Sequence, residues 1–214
     1  KNFVVREIFM VKGRPGVFCV YRIKDCSELT GSEVFTLTLR PLCNSRFYHY
    51  TAKEGSWSPQ IHSADADSFA VLEGHAVGDL ALVCSSGTFT LDSKWYKDMV
   101  YPVERRRGLD YIEDHLSPGY FTARIRPGDE VVFWAGFISK EKDLVFKQFC
   151  SNLKAITAKH REWELNRRND IRKTAGESKI LGELYLAGDQ FIVKNNDDTS
   201  IIAGFHWFGE WGRD

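Results

Sequence analysis

The sequence predicts a mainly β protein, an antiparallel β-sandwich followed by linker helices. Two observations lead to this fold class. Short apolar stretches separated by Gly, Pro, Asp and Ser run through roughly the first 137 positions, and many short strands at short spacing are typical of a sandwich or barrel. Beyond about residue 140 the apolar spacing changes to the three, four and seven of an amphipathic helix.

The strands are predicted from alternating runs and the turns between them. VREIFMV and VFCVYRI flank KGRPG, whose Gly and Pro suit a hairpin turn. EVFTLTLRPL alternates, with Phe35, Leu37 and Leu39 on one face and polar side chains on the other. DSFAVLEG, DLALVCSS and GTFTLDS continue the pattern, and YFTARI and EVVFWAGF flank the turn RPGD.

The interval 94–119 breaks the strand pattern, because it is charged, aromatic and long for a hairpin loop. Arg105, Arg106 and Arg107 are balanced by nearby carboxylates, so we expect a salt-bridged loop that braces the linker, with its charges paired between domains. The alternative is a general acid and base among these carboxylates. Glycosidases need such groups roughly 5–9 Å apart, which spacing in a loop cannot establish.

Helical spacing then predicts one amphipathic helix over residues 140–169. Its apolar positions are Val145, Phe149, Leu153, Ile156 and Trp163. SKILGELYLAG predicts a second helix, and QFIV and SIIAGF predict two short strands around the polar segment KNNDDT. The predicted domains are therefore a sandwich over 1–138, a helical linker over 139–187, and the opening of another domain over 188–214.

Composition excludes several classes of function. The 29 basic and 29 acidic residues cancel, so no broad field attracts nucleic acid or an anionic membrane. The five cysteines are widely spaced without a CxxC pair, which indicates core thiols of a cytoplasmic protein. No metal site or cofactor is expected, and no apolar run approaches the length of a membrane span.

The carboxyl-terminal run FHWFGEWGRD combines aromatic and charged side chains in a way that suits a sugar-binding wall. Trp rings pack on the apolar face of a pyranose, and carboxylate or guanidinium groups bond adjacent hydroxyls. Candidate substrate-binding residues are Trp207, Trp211, Arg213 and Asp214. The structural alternative, a buried Arg–Asp pair beside core aromatics, stays open on spacing alone.

Three stretches also resemble a known family, the prokaryotic-type glycogen debranching enzymes or amylo-α-1,6-glucosidases. DQFIVKNNDDTSIIAGFHWFGEWGRD looks like the opening of the catalytic domain of that family. WYKDMVYPVERRRGLDYIEDHLSPGYF and FTLTLRPLCNSRFYH resemble motifs of its amino-terminal domain. The departures at Gly188, Ser200, Phe205 and Glu210 are mild, and none falls on a candidate site residue.

The resemblance implies a β-sandwich joined by helices to an (α/α)6 toroid, as in glucoamylases. It implies hydrolysis of α-1,6-linked glucose at glycogen or limit-dextrin branch points, with water as acceptor and no metal. Arg213 and Asp214 would hold hydroxyls of that glucose, and Trp211 would shape its subsite. The catalytic acids of the family lie beyond this motif, so no catalytic residue is assigned and the isolated chain is expected to be inactive.

The resemblance further implies that sandwich strands precede the segment matching Lys1. The first residue is Lys rather than Met, which suggests a cut amino end. Without those strands an edge or apolar face would be exposed, and aggregation or a homo-oligomer is expected. One alternative from another class is a non-catalytic carbohydrate-binding or interaction module. Another keeps the fold but changes the chemistry, since glucoamylases, trehalases and disaccharide phosphorylases share it.

Overall fold

The computed structural model describes residues 4–11, 13–24, 33–47, 50–63, 68–74, 78–138, 143–176, 178–195 and 198–202. The strands described are β1 (Val4–Met10), β2 (Gly16–Ile23), β3 (Phe35–Leu39), β4 (Gln60–His62), β5 (Phe69–Glu73), β6 (Asp79–Cys84), β7 (Gly87–Val100), β8 (Ile112–Ile125), β9 (Glu130–Ile138), β10 (Ile192–Asn195) and β11 (Asp198–Ile201). The helices are α1 (Pro102–Arg106), α2 (Asp143–Ser151), α3 (Leu153–Thr174) and α4 (Lys179–Asp189). The chain divides into two compact units, Lys1–Thr157 and Ala158–Asp214.

The first unit contains two antiparallel sheets. The larger has the strand order β1-β2-β9-β6-β5-β4, and the smaller has the order β3-β8-β7. Neighbours within the larger sheet come from distant parts of the chain, since β2 pairs with β9 in a register that sets Gly16 opposite Gly136. The mainly β, antiparallel fold class is therefore confirmed.

A common core fills the space between the sheets. Alternating side chains of both sheets point into it, as the period of two requires. Its most deeply buried members are Ala70, Leu72, Cys84 and Phe121. This arrangement of two facing sheets is the predicted sandwich.

Helical residues cover the opposite face of the larger sheet. Phe18 and Trp134 project from this face, and Phe149 of α2 packs against both rings at centroid distances of 6.5 and 4.7 Å. Leu153, at the start of α3, is completely buried in the same cluster. The apolar stripe predicted for the helix therefore has its partner in the sheet, and burial of this stripe stabilises the helix.

The predicted single helix over 140–169 is wrong in detail. The structure has two helices, α2 and α3, with Asn152 between them. The Asn152 side-chain amide donates to the Gln148 carbonyl oxygen at 2.8 Å, a local bond that competes with helix continuation. Trp163, predicted on the apolar face, is 41% exposed.

The prediction of a loop over 94–119 is also wrong. This interval contains the ends of β7 and β8 and the short helix α1, so it is an extended hairpin of the smaller sheet. Two irregularities in the pairing, between Leu91 and Lys94 and between Tyr96 and Met99, each add one residue to β7. These β-bulges break the alternation of side chains, which is why the sequence pattern did not indicate a strand.

Strand β1 lies at one edge of the larger sheet and carries exposed apolar side chains. Val4, Ile8 and Met10 share one face of the strand and are 59%, 55% and 62% exposed. The other face carries Phe9, which stacks on Phe18 at 5.4 Å. Strand β1 therefore presents an apolar face at the edge of its sheet.

The second unit consists of most of α3, followed by α4 and the β10–β11 hairpin. Ser178 caps α4, because its hydroxyl oxygen accepts from the Leu181 N–H. Ion pairs join Arg172 to Glu183 and Arg167 to Asp189. Within the described residues no helix has the length and apolar character needed to cross a membrane. The limits proposed for the three domains stay a prediction.

Candidate functional site

The predicted substrate-binding residues Trp207, Trp211, Arg213 and Asp214 lie outside the described residues. The structure does describe what leads to them. Ile192 pairs with Ile201 in the β10–β11 hairpin, and the Ile202 N–H donates to the Phe191 carbonyl at 2.9 Å. The segment 203–214 therefore follows directly from a closed hairpin.

The two amino-terminal motifs, 35–49 and 95–121, come together at one end of the sandwich. β3 pairs with β8, and Cys43 continues this pairing by exchanging backbone hydrogen bonds of 2.8 and 3.0 Å with Leu116. Cys43 is buried, as predicted, and burial raises the pKa of its thiol to about 12. The irregular segment that follows Cys43 is thereby held alongside the start of β8.

Glu113 is the centre of this arrangement, because its side chain is completely buried and accepts hydrogen bonds from three residues. The Arg46 guanidinium bonds both carboxylate oxygens, through Nε to Oε1 and through Nη2 to Oε2 at 3.1 Å. The Ala52 N–H donates to Oε1 at 3.0 Å, and the Tyr101 hydroxyl donates to Oε2 at 2.6 Å. A buried carboxylate is tolerated only with such partners.

The charge state of Glu113 follows from these contacts. Burial alone would raise the pKa of the carboxyl, but the hydrogen bonds from Arg46, Tyr101 and Ala52 outweigh it and hold the pKa below its usual range. Burial and the Glu113 carboxylate together raise the pKa of Tyr101 to about 12. Glu113 is therefore an anion and Tyr101 a neutral donor over the physiological range.

The network continues through His115 to Asn44. Because the Tyr101 hydroxyl hydrogen is directed at Glu113, His115 Nε2–H donates to Tyr101 Oη at 2.9 Å, and Nδ1 accepts from the Asn44 amide at 2.9 Å. The amide hydrogen that Asn44 donates to Nδ1 places the His115 ring hydrogen on Nε2. The Asn44 Oδ1 atom is then buried without a partner among the described residues.

Asp114 organises a second cluster next to the first. Its carboxylate accepts from the backbone N–H groups of Asp98 and Glu54, each at 2.9 Å. The bond from the Asp98 N–H, followed by the bond from the Glu54 N–H, lowers the pKa of Asp114 below its ordinary value. Asp98 lies in the second bulge of β7 with a φ of 56°, so Asp114 stabilises an unusual backbone conformation.

Arg40 stabilises the first bulge of β7. Its guanidinium donates to the Asp92 carbonyl and to the buried Ser117 hydroxyl, both at 3.2 Å, and pairs with the Asp92 carboxylate. It also lies over the Tyr120 ring at 4.9 Å from the centroid. Polar residues of the two motifs thus hold the smaller sheet in its bulged form.

These contacts argue against a general acid at Glu113 or Asp114. A general acid must hold a proton near neutral pH and reach a substrate. Glu113 and Asp114 instead have lowered pKa values and accept bonds from within the domain. The salt-bridged interpretation is supported, but Glu113 and Asp114 pair within the first unit. Within the described residues no group of His, Cys, Asp and Glu is arranged to hold a metal ion.

Sequence reasoning did not find the pairing of Arg46 with Glu113. The two residues lie 67 positions apart, and strand periodicity carries no information on such a partner. The available signal was indirect. Both residues belong to runs that resemble motifs of one family, and an acidic pair inside an otherwise apolar strand requires compensation.

Comparison with known protein families now identifies both ends of the chain. Residues 2–132 match the family described as "Glycogen debranching enzyme N terminal". The chain belongs to the glycogen debranching enzyme family. Residues 186–214 match the family described as "Amylo-alpha-1,6-glucosidase". This matched segment contains all four predicted substrate-binding residues. Searches of curated proteins and of solved structures gave no significant match.

The two family matches fix the class of the protein. The chain is part of a glycogen debranching enzyme, and such an enzyme is a glycoside hydrolase. The first match covers the whole Arg46–Glu113 network and both bulges, so the described site belongs to the N-terminal domain. The prediction of a glycogen debranching enzyme is thereby confirmed.

Proposed function

We propose that the protein hydrolyses α-1,6-glucosidic branch points of glycogen or limit dextrin in glycogen catabolism. The observation that supports this most directly is the segment 186–214, which matches an amylo-α-1,6-glucosidase and ends in WGRD. In this proposal Arg213 and Asp214 bond hydroxyls of the branch glucose, and Trp207 and Trp211 pack against its apolar face. The protein is of the prokaryotic type and acts in the cytoplasm without cofactor or metal.

The proposal divides the work between domains. The sandwich over 1–138 supplies a rigid support, the helices over 139–187 link it onward, and residues 188–214 open the glucosidase domain. The chain of 214 residues carries no assigned acid or base, so by itself it should release no glucose from a limit dextrin. Glucose release by this chain at the rate of an intact enzyme would contradict this division.

The test begins with the coding sequence beyond the codon for Asp214. If it continues in frame, the encoded protein is assayed for glucose release from a limit dextrin. Asp214→Asn and Arg213→Ala are expected to lower kcat/KM by at least a hundredfold, since each removes a charged contact to the sugar. Arg168→Ala is the matched control, because Arg168 is 53% exposed in the second unit. Equal activity of all three variants would contradict the assigned roles.

A second candidate function is a carbohydrate-binding module without catalysis. It is favoured by the 14% aromatic content and by the exposed aromatic side chains of the first unit. It predicts affinity of the chain for malto-oligosaccharides, weakened by Trp207→Ala or Trp211→Ala. A stop codon after Asp214 together with such affinity would favour this module over the hydrolase.

A further inference from the structure

Two exposed aromatic side chains, Phe47 and Tyr50, lie together beside the buried network. They are 55% and 66% exposed, and their ring centroids are 5.9 Å apart with an angle of 49° between the planes. Leu42, which precedes them in the chain, is also exposed, at 42%. Contiguous exposed apolar surface on a folded domain indicates a binding surface more often than an isolated exposed residue does.

Residues on either side of the two rings bond the buried Glu113 carboxylate. Arg46, directly before Phe47, and Ala52, two residues after Tyr50, both bond Glu113 Oε1. Within the turn, the Tyr50 N–H donates to the Phe47 carbonyl at 3.0 Å. Aromatic residues anchored in this way bind a ligand with a smaller loss of conformational entropy than mobile ones.

The charges around the rings select the class of ligand. The charge of Arg46, the residue directly before Phe47, is compensated by the buried Glu113 carboxylate. An anionic ligand such as a phosphate or nucleic acid therefore finds no uncompensated charge from Arg46. Two tilted rings, one with a phenol hydroxyl, match a neutral chain of linked pyranoses, whose apolar C–H faces alternate with hydroxyl groups.

We propose that Phe47 and Tyr50 form a surface platform on the N-terminal domain that binds α-glucan chains. The angle between the rings suits α-1,4-linked glucose, whose successive residues turn relative to one another. The platform holds the polymer on the enzyme and takes no part in bond cleavage. Its ligand class rests on the proposed function, because glycogen is the polymer that the family processes.

The test measures affinity of the 214-residue chain for glycogen and for maltoheptaose, by affinity electrophoresis and by calorimetric titration. Phe47→Ala and Tyr50→Ala are each expected to weaken binding about tenfold, as for an aromatic anchor of a binding site. Tyr50→Trp should retain affinity within about twofold, because the stacking surface is kept. Leu91→Ala is the matched control, since Leu91 is 60% exposed in the same unit and is expected to change nothing.

Two further variants separate this proposal from the proposed function. Trp207→Ala and Trp211→Ala alter the predicted contacts to the branch glucose, and both variants retain Phe47 and Tyr50. If only these two weaken binding, the platform is overturned while the glucosidase site is supported. If the wild-type chain binds neither glycogen nor maltoheptaose, the platform is overturned, and the limit-dextrin assay still decides the hydrolase. Unchanged urea midpoints for Phe47→Ala and Tyr50→Ala show that any loss is local.

Discussion

Single residues decide the stability of the sandwich end where the two motifs meet. Arg46 is the ion-pair partner of Glu113, whose carboxylate is completely buried. Removal of one member of a buried pair leaves the other charge desolvated without compensation.

Arg46→Ala is therefore expected to lower the free energy of unfolding by about 3 kcal/mol. Arg46→Lys keeps the charge but loses the bidentate geometry, and it should lower the free energy of unfolding by about 1 kcal/mol. Urea unfolding followed by circular dichroism measures both. Arg168→Ala is the control, because its exposed pair with Glu164 contributes less than about 0.5 kcal/mol. A loss for Arg46→Ala no larger than that of the control would contradict the buried-pair argument.

Because the pKa values of Glu113 and Asp114 are lowered in the folded protein, the free energy of unfolding depends on pH in the acidic range. A carboxyl whose folded pKa is depressed stabilises the fold fully above its unfolded pKa, near 4. This contribution is lost as the pH falls through the folded pKa. We expect the free energy of unfolding to be nearly constant from pH 7 to about 5 and to fall below about pH 4.

Glu113→Gln and Asp114→Asn provide the test of this acid dependence. Each variant should be less stable than the wild type at pH 6 and should lose less stability between pH 5 and 3. The free energy of unfolding is measured by urea titration at each pH. Parallel pH profiles for the variants and the wild type would show that other carboxyl groups cause the acid loss.

At the scale of elements, the bulges of β7 are the feature that distinguishes the smaller sheet from a regular one. Asp98 adopts a φ of 56°, a region that non-glycine residues seldom occupy and β-branched residues avoid. Its side chain is exposed, so substitution tests the backbone conformation without removing core packing.

Asp98→Val is expected to lower the thermal midpoint by about 3 °C, which corresponds to roughly 1 kcal/mol in a domain of this size. Asp98→Gly is the matched variant, because glycine adopts this φ without strain, and its midpoint should stay close to the wild type. Calorimetry of both variants gives the comparison. Equal midpoints for Val and Gly would show that the left-handed conformation is not what limits this position.

The elements also show which parts of the structure the sequence could indicate. Strands β1 to β3 and helix α4 were predicted because their signals are local: period-two alternation and a Gly-Pro turn for the strands, and the run SKILGELYLAG for the helix. The part of the β7–β8 hairpin within 94–119 was missed because two extra residues in β7 shift the alternation. The Glu113 network was missed because its partners come from separate motifs. The predicted sugar contacts at 207–214 stay a prediction.

At the scale of the whole molecule, the exposed β1 edge predicts self-association. Val4, Ile8 and Met10 line one face of an edge strand, and unpaired edges with apolar side chains add further strands readily. We expect a concentration-dependent dimer, or larger species, in sedimentation velocity experiments on the chain.

Ile8→Lys places a charge on this edge. It should raise the dissociation constant of the dimer at least tenfold and so shift the population toward monomer. Leu91→Ala is the control, since Leu91 lies in the smaller sheet and is similarly exposed. Identical sedimentation of the wild type and Ile8→Lys would remove β1 from the interface.

The pairing of β2 with β9 has a consequence for synthesis of the protein. Gly16 and Gly136 are opposite each other in the sheet but about 120 positions apart in the chain. At roughly 5–20 residues per second, a ribosome completes β9 on the order of 10 s after β2. During this interval Phe18 and Val20, which are fully buried in the folded protein, have β1 on one side and no strand on the side that β9 will occupy. Nascent chains halted before β9 should therefore bind chaperones, and those halted after it should release them.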